Sequence, residues 1–157
     1  MLFQEISREL LQQGLCVRFR PGGRSMQPTI RDGEAITVAP VRTAEVRRGD
    51  ILLYETKDGL IAHRVLGIYG DCEADKRFIL RGDCSSSADE PVRAEQVLGR
   101  VVAVEREGRG SLRLCGRRAR IRHDARSLVL KIRRRLAPRA RFVKFLLSNE
   151  EQGVSNL

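Results

Sequence analysis

The alternation of apolar and polar positions predicts short β-strands over the first two-thirds of the chain. Val17 and Phe19 alternate with Arg18 and Arg20, a period of two that is typical of a half-buried strand. Turn sequences rich in Gly and Asp separate the candidate strands and favour hairpins. The candidate strands span 17–20, 35–41, 51–54, 60–70, 76–80 and 97–105. Together they predict a mainly β domain over residues 1–107.

Apolar residues recur with a helical period near both ends of the chain. Residues 2–13 are predicted to form a short packing helix, and Gly14 follows as its C-terminal cap. The apolar face of that helix would consist of Phe3, Ile6, Leu10 and Leu11. Helical spacing returns over 117–147, with a break at Pro138. Residues 108–157 are therefore predicted to form a basic helical C-terminal extension.

The positive charge of the chain is concentrated in that extension. The 157 residues carry a net charge of +10, yet the segment 109–144 holds fourteen Lys or Arg and a single acid, Asp124. This segment could pack on the β domain, associate peripherally with an anionic membrane, or bind an acidic protein or nucleic acid. Nucleic acid is the less favoured partner, because residues 109–141 contain no Phe, Tyr or Trp that would stack on a base.

Cysteine usage and hydropathy limit the class of protein. Cys16, Cys72, Cys84 and Cys115 are widely spaced and form no metal-ligand pattern with the two histidines, so no metal or cofactor is predicted. The N-terminus lacks the pattern of a secretory signal, and no run of eighteen apolar residues occurs. These features predict a cytoplasmic protein with reduced thiols, located at the inner face of the membrane if the basic segment binds lipid.

Four residues supply candidate hydrolytic chemistry. Ser25 lies in the stretch 21–34, PGGRSMQPTIRDGE, where Gly and Pro favour a rigid, exposed bend. A Ser hydroxyl acts as a nucleophile only with a base within hydrogen-bond distance. His63 suits that role, because an imidazole can accept and return a proton near neutral pH. Asp83 or Asp89 could hold the far ring nitrogen and fix the tautomer.

Each of these candidates also has an ordinary structural explanation. A Ser beside Gly-Gly is often only a turn residue, and His63 in an apolar strand could be a hydrogen-bonded core residue. Asp83 follows Gly82 as turn formers do, and Asp89 could simply end a loop. The distances among the four side chains distinguish these interpretations.

Five short motifs, in order along the chain, resemble those of type I signal peptidases. They are GGRSMQPTIRDGE, RRGDILLY, AHRVLGI, FILRGDCSSSADE and VLGRVVAV, and the resemblance covers residues 15–104. The archaeal and endoplasmic-reticulum branch of this family uses Ser-His-Asp, whereas the bacterial branch uses Ser-Lys. His63 stands where the bacterial branch and the self-cleaving SOS-type repressors carry Lys, so the chain is most similar to the Ser-His-Asp branch.

The resemblance implies a signal-peptidase-like catalytic core of coiled β-sheets and a serine endopeptidase activity. Its substrate would be an extended peptide or protein segment with small side chains near the cut. Ser25 matches the nucleophile, His63 the general base, and Asp83 and Asp89 the two acidic positions of the Gly-Asp loop. Asp89 is slightly favoured as the partner of His63, because Asp83 directly follows Gly82 at the strand end and could cap the loop.

Several positions depart from the family pattern. Arg24 replaces the usual Gly before the nucleophile, and Cys84 replaces an Asn. Gly23 stands where some members carry a second hydroxyl, so oxyanion stabilisation would fall to backbone N–H groups, including that of Ser25. Residues 1–14 contain no counterpart of the family's membrane anchor. Two other functions stay open: a non-catalytic peptide-binding descendant, and a nucleic-acid-binding protein.

Overall fold

The computed structural model describes residues 2–73, 75–106 and 110–114, and this part of the chain is mainly β, as predicted. It contains one antiparallel sheet and one short N-terminal α-helix. The helix α1 spans Leu2–Gln12, and the strands are β1 Val17–Phe19, β2 Ala35–Ala39, β3 Ile51–Thr56, β4 Gly59–Tyr69, β5 Arg77–Arg81, β6 Val92–Arg93, β7 Val97–Arg106 and β8 Gly110–Arg113. Two 3-10 turns, Thr43–Glu45 and Ala94–Gln96, precede β3 and β7.

The hairpin of β3 and β4 forms the middle of the sheet. The strand order is β1-β2-β7-β3-β4-β5-β6, with β8 paired to β7. The hairpin turns at Lys57-Asp58, as the sequence predicts, and its register pairs Leu52 with His63. Because β7 and β4 occupy the two edges of β3, the backbone polar groups of β3 are paired on both sides.

The central strand β3 is buried on both faces and contributes to two hydrophobic cores. Ile51 and Leu53 lie in the first core, whereas Leu52 and Tyr54 lie in the second. A short uninterrupted apolar run such as ILLY is typical of a strand covered on both faces. The first core also includes Leu11, Val17, Met26, Ile30, Ile36, Val38, Val101 and Val104, and the second includes Val46, Val65, Phe78, Leu80 and Val92.

The N-terminal helix is found where it is predicted, but its buried face differs in part. Gly14 ends the helix with a φ of 84°, and its N–H donates to the Leu11 carbonyl at 3.1 Å. Leu11 is buried, yet Phe3 and Ile6 are 49% and 46% exposed. The small side chain of Ser7 is buried instead, at 1% exposure. The helix thus packs through Ser7 and Leu11, and Phe3 contacts Phe19 edge-on with ring centroids 5.1 Å apart, whereas nearly half of the Ile6 side chain stays exposed.

Two short strands are not predicted from the sequence. β6 has only two residues, too few for a periodic pattern. β8 lies beyond the predicted domain end at residue 107, and it pairs with β7 through Val104 and Leu112. The sheet therefore extends past that boundary. The helical segment predicted over 117–147, on which the membrane and nucleic-acid interpretations depend, lies outside the described residues.

Candidate active site

The loop between β1 and β2 presents the Ser25 side chain at the surface. Ser25 is exposed, whereas Met26 and Ile30 are only 5% and 4% exposed and belong to the first core. The Ile30 N–H donates to the Met26 carbonyl at 3.0 Å, which closes a turn directly after the serine. Gly23 has a φ of 105°, a conformation that side-chain-bearing residues rarely adopt. Two apolar anchors thus fix a loop whose hydroxyl faces solvent.

His63 lies on β4 and reaches this hydroxyl. The residue is 7% exposed, and its Nε2 atom is 3.0 Å from Ser25 Oγ. The strand holds the backbone of His63 opposite Leu52, so the ring projects from a rigid element rather than from a loop. The expected proximity of the two side chains is therefore present.

Asp89 contacts the other ring nitrogen of His63. Its Oδ2 atom is 2.6 Å from His63 Nδ1, and its backbone N–H donates to the Leu80 carbonyl at 2.9 Å. With Nδ1–H donating to the carboxylate, Nε2 carries a lone pair and accepts the proton of the Ser25 hydroxyl. The three side chains form one continuous line of hydrogen bonds from carboxylate to hydroxyl.

Asp83, the second candidate acid, binds Arg64. The guanidinium of Arg64 donates from Nε to Asp83 Oδ1 and from Nη2 to Asp83 Oδ2, both at 2.7 Å. Thr29 adds a hydroxyl 2.5 Å from Asp83 Oδ2, and Arg64 also donates to the Gly49 carbonyl at 2.8 Å. Arg64 is only 6% exposed, so this bidentate pair is buried. It ties β4 to the nucleophile loop and to the Gly82–Asp89 loop.

The loop after β5 also contacts the backbone of Ser25 directly. The Cys84 N–H donates to the Ser25 carbonyl at 2.8 Å. A Cβ atom on Gly82 would lie 2.7 Å from that same carbonyl oxygen, which is closer than van der Waals contact allows. Gly82 is therefore required for the close approach of the two loops.

Tyr54 is a site residue that the sequence interpretation missed. Its hydroxyl donates to Asp89 Oδ2 at 3.1 Å and lies 3.4 Å from His63 Nδ1. Burial, followed by the charge of Asp89 and the hydrogen bond to it, raises the pKa of the Tyr54 phenol. The hairpin register contains a signal for this residue. Leu52 pairs with His63, and Tyr54 shares a face of β3 with Leu52 because residues two apart point to the same side of a strand.

Comparisons with known proteins add no family to this geometry. No protein-family model matches the chain, and no curated protein matches it either. Among the described residues, no group of His, Cys, Asp and Glu side chains could hold a metal ion. In the same part of the chain, no helix has the length and apolar character needed to cross a membrane.

Proposed function

We propose that this protein is a serine endopeptidase of signal-peptidase type. The observation that carries the proposal is the line of hydrogen bonds from Asp89 through His63 to Ser25. In that arrangement Ser25 is the nucleophile, His63 the general base and Asp89 the acid that orients the imidazole. The five sequence motifs and the mainly β fold are consistent with the same family.

Peptide cleavage would proceed in two stages. Ser25 Oγ forms a bond to the substrate carbonyl carbon while His63 Nε2 takes the hydroxyl proton. That proton then passes to the leaving amine as the C–N bond breaks, which leaves an ester on Ser25. In the second stage, His63 removes a proton from water as the water oxygen bonds to the ester carbon, the bond from that carbon to Ser25 Oγ breaks, and the proton returns to Oγ as the peptide leaves with a new carboxyl group. Asp89 stays ionised and stabilises the imidazolium in both stages.

Backbone N–H groups would stabilise the oxyanion. Gly23 contributes no hydroxyl for this purpose, and its own N–H donates to Asp32 Oδ1 at 3.1 Å. The backbone N–H of Ser25 has no acceptor among the residues that the structure describes. It is therefore able to donate to the negatively charged oxygen that forms beside Ser25 Oγ.

An extended peptide fits the sheet edge beside this loop. Within the described residues, β1 pairs only with β2, and its other edge offers unpaired backbone groups. β1 also leads directly into the nucleophile loop. A substrate strand added at this edge would run toward Ser25, and its backbone hydrogen bonds would hold it irrespective of most side chains.

Digestion of a peptide library, read by mass spectrometry, tests the proposal. The wild-type chain should cleave a subset of peptides, and Ser25→Ala should cleave none of them. Ser86→Ala is the matched control, because Ser86 is an exposed hydroxyl on the neighbouring loop. A folded wild-type protein that cleaves nothing, or a Ser25→Ala variant that keeps full activity, would favour the non-catalytic peptide-binding alternative.

A further inference from the structure

The Tyr54 hydroxyl shares one carboxylate oxygen with the imidazole of His63. Asp89 Oδ2 accepts from His63 Nδ1 at 2.6 Å and from the Tyr54 hydroxyl at 3.1 Å. The hydroxyl is also 3.4 Å from Nδ1, so the three polar groups form a compact triangle. This triangle lies on the side of the imidazole opposite Ser25.

The rest of the structure holds Tyr54 more firmly than it holds Asp89. Tyr54 is 2% exposed, and it lies on the central strand β3 in the core that also contains Leu52 and Val65. Asp89 lies in a loop without regular secondary structure, and its side chain is 27% exposed. A carboxylate in that position can turn toward water unless a fixed donor holds it. The phenol supplies such a donor from a rigid element.

We propose that Tyr54 is a positioning residue that holds the Asp89 carboxylate against His63. This inference rests on the proposed peptidase function. A donated hydrogen bond stabilises the ionised carboxylate and keeps its Oδ2 atom in line with Nδ1.

The protonation state of Tyr54 suits this role. Because burial and the charge of Asp89 raise the pKa of the phenol, Tyr54 remains a hydrogen donor throughout the neutral and mildly alkaline range. Among the described residues, the other side chains hydrogen-bonded to His63 are Ser25 from the β1–β2 loop and Asp89 from the loop after β5. Arg64, the next residue along β4, is occupied by Asp83. Tyr54 is thus the residue of β3 that places a polar group beside His63.

Tyr54→Phe removes the hydroxyl and keeps the ring that fills the core. We expect kcat to fall about tenfold, because a hydrogen bond to a charged group is lost. KM should stay unchanged, since Tyr54 does not line the surface where Ser25 is exposed. The acidic limb of the rate profile should move to lower pH, because a carboxylate that turns toward water no longer stabilises the His63 imidazolium. Loss of packing alone would lower the thermal stability and leave that limb in place.

Tyr69→Phe is the matched control, since Tyr69 is 62% exposed and is the only other tyrosine of the chain. It should change neither kcat nor the pH profile. A Tyr54→Phe enzyme with wild-type kcat and an unmoved acidic limb would overturn the proposal.

Histidine NMR tests the same inference without enzymatic activity. The chain has two histidines, so His123→Gln leaves His63 as the single imidazole signal. Adding Tyr54→Phe should move the His63 titration to lower pH even if no peptide is cleaved, which separates this inference from the proposed function.

A second measurement keeps the tyrosine in place. In a Tyr69→Phe background, Asp89→Asn should lower the pH at which the remaining phenol ionises. An unchanged His63 titration in the NMR experiment, or an unchanged titration of the Tyr54 phenol in Asp89→Asn, would contradict the proposed role of the hydrogen bond between Tyr54 and Asp89.

Discussion

A single methyl group at Gly82 should displace the nucleophile. In Gly82→Ala the new Cβ would lie 2.7 Å from the Ser25 carbonyl oxygen and 3.0 Å from Ser25 Cβ. It would also lie 2.8 Å from the Ser85 hydroxyl. The Ser85 side chain can rotate away, but the Ser25 carbonyl belongs to a loop held by buried anchors. Ser25 or the loop after β5 must therefore move by several tenths of an ångström.

Two costs of this movement can be estimated separately. Overpacking of this kind lowers the free energy of unfolding by roughly 1–3 kcal/mol. The hydrogen bond from Ser25 Oγ to His63 Nε2 is 3.0 Å long, and the Cys84 N–H holds the Ser25 carbonyl at 2.8 Å. A misplacement of about 1 Å at a reacting group costs on the order of 10²-fold in rate. We expect the kcat/KM of Gly82→Ala to fall between about tenfold and 10²-fold. The lower free energy of unfolding does not by itself produce this loss, because kcat/KM is measured on the folded protein.

Two glycine variants serve as controls in peptide-cleavage and thermal-unfolding assays. A Cβ on Gly22, three residues before the nucleophile, would meet nothing within 4 Å, so Gly22→Ala should keep both activity and stability. A Cβ on Gly99 would lie 2.7 Å from the Ala39 carbonyl, outside the site, so Gly99→Ala should lose stability and keep kcat/KM. If Gly82→Ala behaves like Gly22→Ala, the close approach of the two loops is not required, and the reasoning is refuted.

The other predictions concern the two acids and the buried tyrosine. Asp89→Asn should lower kcat roughly 10⁴-fold with little change in the free energy of unfolding, because an amide favours the wrong tautomer of His63. Asp83→Asn should instead lower the free energy of unfolding by about 3–5 kcal/mol in denaturant titrations, because buried Arg64 loses its anionic partner. The reverse pattern would contradict this division of roles. Burial and Asp89 raise the pKa of Tyr54, so the folded chain holds that proton more tightly than the unfolded chain does. This contribution is complete below the ordinary tyrosine pKa of about 10 and is lost as the pH rises further. Tyr54→Phe should therefore flatten the decline of stability above that pH, and an equally steep decline would refute the assignment.

Most strands of the sheet are predictable because local patterns determine them. The run ILLY is buried on both faces of β3, and the Lys57-Asp58 turn produces the hairpin that the sequence indicates. The features that were missed depend on contacts distant in sequence. β8 pairs with the long neighbouring strand β7 through Leu112 and Val104, and the burial of Ser7 rather than Ile6 follows from how α1 lies on the sheet.

The candidate site is predictable in its residue types and only partly in its partners. Ser25 and His63 are recognisable from the motifs around them, and the structure brings them to hydrogen-bond distance. The sequence alone barely distinguishes Asp83 from Asp89, because both follow β5 in one polar loop. In the structure Arg64 binds Asp83, which leaves Asp89 as the partner of His63. This division depends on which face of β4 the side chains of His63 and Arg64 occupy. Tyr54 was overlooked because it reads as an ordinary apolar position of a buried strand.

The most direct test of the central claim is a double-mutant cycle of Ser25→Ala and His63→Ala, measured as kcat/KM on one cleaved peptide. If the two residues act as one unit, either substitution removes nearly all of the catalysis, and the double variant is no slower than each single variant. Losses that add in free energy, or a His63→Ala variant that retains its activity, would contradict a mechanism in which His63 activates Ser25.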